Sequence, residues 1–336
     1  MKSTLIQVFK FLFFTSIAVI LIFVVFKNID LHKFWEGVKQ ANFIWVGISI
    51  IFAAVGYVSR AIRWNLLIEP LGYKPKIKNS ILAVIFGYFA NIGFPRLGEI
   101  ARCGVLTRKE NIPMDKLIGT VIAERTIDLI MLILLAVITF FIKINFFGKF
   151  ISNNILSPTT TAFASINIFL IISLILIVIL VIVILFVFSK KENSITKKIF
   201  SFMKGIAEGI KTVFMLQKRK TFLIHTFIIW LTYLGMTWTI CFAIPETSSL
   251  SAVDALFLLI VGGLGMAVPV QSGIGVYHYM VGQALTIYGL SFETGLLYAT
   301  ISHESQILFV IITGSIATFY IFIKKPKRES ITDNSK

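Results

Sequence analysis

Acidic side chains are scarce in this chain. Its 336 residues hold 16 Asp and Glu against 32 Lys and Arg, and charged residues of both signs make up 14% of it. A soluble domain is nearer to about 25% charged. That shortage, with 57% hydrophobic residues and a mean hydropathy of +0.89, excludes the soluble class. Cysteine is scarcer still, since Cys103 and Cys241 alone make neither a disulfide framework nor a metal-ligand spacing. The four histidines, His32, His225, His278 and His303, come without a nucleophile elbow, which counts against a hydrolase. No Gly-rich phosphate loop, zinc spacing or RNA-binding signature occurs, so no metal, no cofactor and no ATP-driven step is expected. The net charge of +16 would suit nucleic acid in a soluble protein. In a polytopic membrane protein, basic residues gather instead in cytoplasmic loops against anionic headgroups, so no nucleic acid is expected as a partner.

What the chain has in abundance is long apolar runs. FLFFTSIAVILIFVVF at 11–26 and IFLIISLILIVILVIVILFVF at 168–188 belong in a bilayer. KNIDLHKFW follows Phe26 with no small-residue cleavage site, so a retained first helix is expected rather than a signal peptide. Hydropathy places spans near 9–26, 43–62, 117–142, 165–188, 222–244 and 295–323.

Two apolar segments are too short. ILAVIFGYFANIGF at 81–94 ends at Pro95, and VDALFLLIVGGLGMAV at 253–268 ends at Pro269, before another half-length piece, VQSGIGVYHYMVGQALTIYGL. About fourteen residues rise roughly 21 Å, short of a core of about 30 Å. Lys and Arg crowd 60–78 (Arg60, Arg63, Lys74, Lys76, Lys78), 96–116, 190–220 and the tail, whereas 143–161 and 245–252 are nearly free of them. All these groups fall on one side if 81–109 dips in from the cytoplasmic face and returns, while 253–290 dips in from outside. The expected fold is therefore all-α and membrane-embedded, with about six full spans and two oppositely oriented re-entrant hairpins; the alternative is eight plain spans. Residues 1–323 form a single membrane domain and 324–336 a short basic cytoplasmic tail. The loop 190–220 repeats Ile199, Phe202, Met203, Ile206, Ile210, Val213 and Phe214 among lysines, as a basic amphipathic helix on the inner leaflet would. Trp35, Trp45, Trp64, Trp230 and Trp238 fall mostly near span ends, as an aromatic belt would.

Opposed broken helices are what inverted-repeat transporters use to set helix ends and free backbone groups at a substrate. Gly93, Pro95 and Gly98 mark the first break; Pro269 and Gly275 mark the second. Arg96, Glu99 and Arg102 recur at spacing three. If LGEIARCG is helical they line one face beside a helix N-terminus, a receptor for a phosphate-bearing headgroup or an interfacial helix on anionic lipid. Gln271, Ser272 and Gly273 make the second break polar. Glu124 and Asp128 share a helix face with Arg125 beside them, and Asp128 lies roughly 16 Å into its span. Ionisable groups at that depth cost on the order of 2.5–3.5 kcal/mol each, so they face the bundle interior as a gate, a proton-coupling group or a mutually neutralised structural cluster. His303 and Glu304 occupy the mirrored position after the second break. His278 reads as a packing residue and His225 as interfacial.

The run NIGFPRLGEIARCGVLTRKENIPMDKLIGTVIAERTIDLI, with its P-R-L-G-E-x-x-R and E-R-x-x-D elements, resembles the flippase-like transmembrane domain of lysylphosphatidylglycerol synthases and the stand-alone proteins of that superfamily. PVQSGIGVYHY is similar to the family's second, looser proline-glycine motif. The resemblance covers about residues 10–323. It implies a multi-pass protein of the inner (cytoplasmic) membrane, both termini cytoplasmic, that moves or binds anionic or polyprenyl-type lipids. By it, Arg96, Glu99, Arg102, Glu124, Arg125 and Asp128 carry over as site residues. Neither the soluble aminoacyl-transferring domain of the synthases nor the fused glycosyltransferase of other members is expected here, so lysyl transfer is not expected either.

The function expected is a lipid flippase or scramblase. Arg96, Glu99, Arg102 and Gln271 to Gly273 would hold the headgroup, while Glu124, Arg125, Asp128, His303 and Glu304 would gate it or couple it to protons. The rivals are a lipid-phosphate transferase or hydrolase using Glu124, His303 and Glu304, and a non-catalytic membrane subunit that recruits a separate enzyme partner.

Overall fold

The computed structural model describes residues 29–94, 96–144, 215–268 and 270–323, with a few positions between 16 and 27. The span expected at 165–188, most of that at 9–26 and most of loop 190–220 lie outside the described residues, as do the tail 324–336, Pro95 and Pro269.

Among the described residues all regular structure is helical. The helices are α1 (Leu31–Gln40), α2 (Phe43–Ile68), α3 (Ile77–Gly93), α4 (Leu97–Glu110), α5 (Met114–Ile142), α6 (Arg219–Cys241), α7 (Ala252–Ala267), α8 (Val276–Thr286) and α9 (Phe292–Ile323). Helices α2, α5, α6 and α9 are long and apolar enough to cross a membrane. They realise four of the expected spans. Three start a few residues early because their first turns are polar: α6 opens on Arg219 and Lys220, and α9 carries Glu293 and Thr294. Lipid-facing surface is plain on α9, where Leu308, Ile312, Ile316 and Phe319 lie between 53% and 61% exposed at helical spacing.

Helix starts follow local capping chemistry. Asn42 Oδ1 accepts the Ile44 N–H at 3.1 Å to open α2. Before α7, Ser251 and Asp254 form a capping box, with the Ser251 N–H donating to Asp254 Oδ2 at 2.9 Å. Replacing Ser251 by alanine is expected to lower stability by about 1 kcal/mol, read as a modest loss of thermal stability in detergent.

The chain divides into two compact units, residues 1–121 with 218–336, and residues 122–217. Within the first, α2 packs along α6, α3 lies on α4 and α9, and α8 lies on both α7 and α9. One core gathers Trp64, Ile68, Cys103, Leu106 and Leu117; another gathers Ile240, Leu258, Val281, Leu285 and Tyr298. Of the second unit the described part is almost wholly the rest of α5, where the Thr126 and Thr139 hydroxyls donate back to the Ile122 and Leu135 carbonyls.

The two short apolar segments do break and turn back. Glu110, ending α4, accepts the Lys76 N–H at 3.0 Å beside the start of α3, so the far ends of these two helices lie together. In the second pair the rings of Phe257, in the first half of α7, and Tyr288, just past the end of α8, stand 6.1 Å apart. Helices α3 and α7, of 17 and 16 residues, rise only about 25 Å.

Arg60 and Arg63 are not the loop charges that the hydropathy reading made them. Helix α2 runs to Ile68, and both lie buried on it. Arg60 Nη2 donates to the Tyr233 hydroxyl at 2.7 Å, Arg63 Nη1 donates to Thr226 Oγ1 at 3.4 Å, and the Arg63 guanidinium stands over the Phe222 ring. Nor does Trp64 belong to an aromatic belt. It is fully buried, donating from Nε1 to Thr120 Oγ1 at 2.8 Å.

Candidate functional site

At the first break Arg96 takes a left-handed backbone conformation, φ 63° and ψ 5°, a strained state for a residue with a Cβ. The chain enters α4 only at Leu97, so Arg96 stands outside the helix rather than completing the expected face with Glu99 and Arg102. Arg96 is exposed and Glu99 half-buried, whereas Arg102 is buried with its guanidinium 4.5 Å from the Trp64 ring centre. Two of the first N–H groups of α4 are already engaged: Leu97 donates to the Phe94 carbonyl at 3.2 Å and Gly98 to Asn91 Oδ1 at 2.7 Å. Less of this helix terminus faces an anion than the sequence suggested. Gly93, the last residue of α3, meets nothing within 4 Å of a Cβ position, whereas Gly98 seats α4 on α3.

The second break passes through a 3-10 turn at Gln271–Gly273. Ser272 (φ 48°), Gly273 (φ 70°) and Gly275 (φ 82°) are all left-handed, which only the glycines adopt without strain. The tips of the two hairpins meet. Arg96 Nη2 donates to the Ala267 carbonyl at 3.4 Å, and Gln271 Nε2 donates to the Gly93 carbonyl at 3.5 Å. Each break thus sends one side chain to a carbonyl that the other helix leaves open at its C-terminus.

Behind the second tip lies a cluster that the sequence reading half found. His303 Nε2 is 2.7 Å from the Ser272 carbonyl oxygen, and His303 Nδ1 is 3.0 Å from Glu304 Oε1. His278 Nε2 approaches the same carboxylate at 3.5 Å. The Tyr277 ring stacks on His303 with centroids 5.0 Å apart, and its hydroxyl meets Ser302 Oγ at 3.2 Å. His278 and His303 are buried; Glu304 is 47% exposed. His278, read from sequence as packing, therefore belongs to this cluster, with Tyr277 and Ser302. The available signal was position: Tyr277 and His278 come two and three residues after Gly275, the last glycine of the break.

Helix α5 carries Glu124 and Asp128 one turn apart on one face, as expected, with Glu124 buried, Asp128 half-buried and Arg125 exposed. Both long helices that follow a hairpin thus bear ionisable side chains about three turns in.

The family described as lysylphosphatidylglycerol synthase TM region matches residues 7–314. The UPF0104 membrane protein MJ1595 of Methanocaldococcus jannaschii is 30% identical over 161 residues, 46% of this chain and 45% of its own length. The match thus spans about half the length of that relative. No solved structure matches the chain.

Proposed function

We propose, from the premise that the chain belongs to the family of lysylphosphatidylglycerol synthase transmembrane regions, that it moves lipid between leaflets as a flippase or scramblase. Its substrate in this reading is an anionic phospholipid or a polyprenyl-phosphate-type lipid, and its place is the cytoplasmic membrane with both termini inside. The observation that carries the reading is the reciprocal meeting of two hairpin breaks. Irregular backbone survives at membrane depth only where protein or water encloses it, and opposed broken helices are the frame on which transporters build a substrate site. Both hairpins are re-entrant in this reading, entering from opposite faces. Arg96, held left-handed and exposed beside the helix end, is the first contact for a headgroup phosphate, with Gln271, Ser272 and Gly273 closing from the other tip. Glu99 and Arg102 support it from within α4. Glu124, Arg125 and Asp128 form a gate on α5, and His303 and Glu304 on α9.

The test is exchange of labelled phosphatidylglycerol, aminoacylated lipid and polyprenyl phosphate across vesicles holding the full chain. Arg96→Ala removes a charge-assisted contact worth about 1.5–3 kcal/mol, so the initial rate for the true substrate class is expected to fall at least about tenfold. Rates equal to those of empty vesicles for all three lipids would retire the transport reading in favour of a non-catalytic subunit that holds a membrane enzyme.

A further inference from the structure

The hydrogen bonds of His303 leave an electrical gap. The Ser272 carbonyl can only accept, so His303 Nε2, 2.7 Å away, carries a hydrogen. In a neutral ring the other nitrogen then holds a lone pair. Yet Nδ1 lies 3.0 Å from a Glu304 carboxylate oxygen, and two lone pairs at that distance repel unless something positive sits between them. His278 is not that something's third ligand. Its Nδ1 accepts the Gly275 N–H at 3.4 Å, so its own hydrogen is on Nε2 and points at Glu304 from 3.5 Å. The group His278, His303 and Glu304 brings its ligand atoms within 4.8 Å, but one of the three arrives as a donor. Two lone pairs are short of the three or four protein ligands a zinc-type ion takes. A proton needs no more than these two.

Two further observations agree. Tyr277 presents its ring face to His303, an arrangement that favours the imidazolium. Glu304 is 47% exposed although it lies roughly 18 Å along a 32-residue apolar helix. A carboxylate that open at that depth faces a watered path rather than lipid.

We infer that His303 and Glu304 bind a proton that latches the second break to α9, and that this proton is the coupling ion for lipid movement, the latter part resting on the flippase reading. Protonated, His303 donates from both ring nitrogens and ties Ser272 to Glu304. When the proton leaves to water past Glu304, one N–H remains; the ionised Glu304 carboxylate beside Nδ1 is a stronger acceptor than the Ser272 carbonyl and takes it, so the break is released.

Among the described residues, the titratable groups facing the pair are His278 and Tyr277, both from α8. Elsewhere α2 meets α9 through Ser49 on Gln306 and Tyr57 on Phe309, α6 through the Thr237 carbonyl on Tyr298, α3 through Phe89 at Gly314, and α1 through Gly37 at Leu297. Lys78, Arg108 and Lys109 meet α9 at Tyr320 and Phe322, about 24 Å or more beyond Glu304.

The test reads the latch apart from transport. Amide exchange over residues 270–276 is measured on the full chain in nanodiscs from pH 5 to 9, as protection relative to an unstructured peptide at the same pH. Protection is expected to fall at least tenfold through one step as pH rises. In His303→Gln the step vanishes and the profile is flat; in Glu304→Gln, which keeps the histidine but removes its anion, the step moves to lower pH. A purely structural role would lower protection equally at every pH and leave the step in place. A flat wild-type profile, or protection that follows sodium chloride at fixed pH, overturns the inference. In vesicles, one pH unit across the bilayer should sustain an about tenfold lipid asymmetry if one proton moves per lipid. Equal leaflets under that gradient, with exchange present and the step intact, would make the proton a latch but not the coupling ion. Absence of all lipid exchange with the step intact would defeat the flippase reading alone.

Discussion

A Gly98→Ala chain is expected to lose about 3 kcal/mol of stability and, with it, the first hairpin. A Cβ at Gly98 would overlap the Gly87 carbonyl oxygen and come within 2.7 Å of the Asn91 side-chain amide. Neither neighbour can retreat easily. Gly87 is main chain in α3, and Asn91 already accepts the Gly98 N–H at 2.7 Å. The contact is reciprocal, because a Cβ at Gly87 would stand 2.9 Å from the Gly98 carbonyl. The two arms therefore touch backbone to backbone, the close approach that small residues allow between helices in lipid. The matched control is six residues along the same helix. Gly104 has nothing within 4 Å of its Cβ position, so Gly104→Ala should be neutral or raise stability by up to about 1 kcal/mol through helix propensity. Thermal unfolding in detergent distinguishes them, and equal midpoints for both variants would mean that the arms are not packed this way.

Trp64→Ala should cost about 4 kcal/mol. The indole is fully buried, and its removal leaves a large void in the core formed with Ile68, Cys103 and Leu117. It also takes away the ring under the Arg102 guanidinium, a buried cation that a cavity cannot compensate. Trp64→Phe keeps an aromatic face and loses the hydrogen bond to Thr120, so its cost should be nearer about 1 kcal/mol. Similar losses for the two substitutions would assign the stabilisation to the hydrogen bond, against the cavity argument.

Much of this architecture was legible in the order of residues, and the reasons differ by feature. Four long spans and two short, broken ones follow from apolar length, because a segment that cannot reach across about 30 Å must do something else. The breaks announced themselves through Gly93, Gly98, Gln271 to Gly273 and Gly275. What hydropathy could not supply was partnership. It scored Arg60 and Arg63 as loop charges because it cannot see Tyr233 and Thr226 on α6 waiting for them. It sent Trp64 to the interface by the same blindness. His278 looked isolated until α8 brought it to Glu304, 26 residues away in sequence. The three-residue spacing of Arg96, Glu99 and Arg102 implied a common face, and one left-handed residue removed Arg96 from it.

The seam between the two tips has a further property. Both of its donors are side chains, Arg96 and Gln271, and both of its acceptors are main-chain carbonyls, at Ala267 and Gly93. Any residue supplies a carbonyl, and Gly93 has open space around its Cβ position. Substitution at 93 or 267 therefore leaves the seam intact, whereas substitution at 96 or 271 severs one strand of it. Divergence among related chains should be strongly uneven here, free drift on the accepting positions beside near-fixation on the donating ones, so that two members can differ through most of their length and still close the same joint.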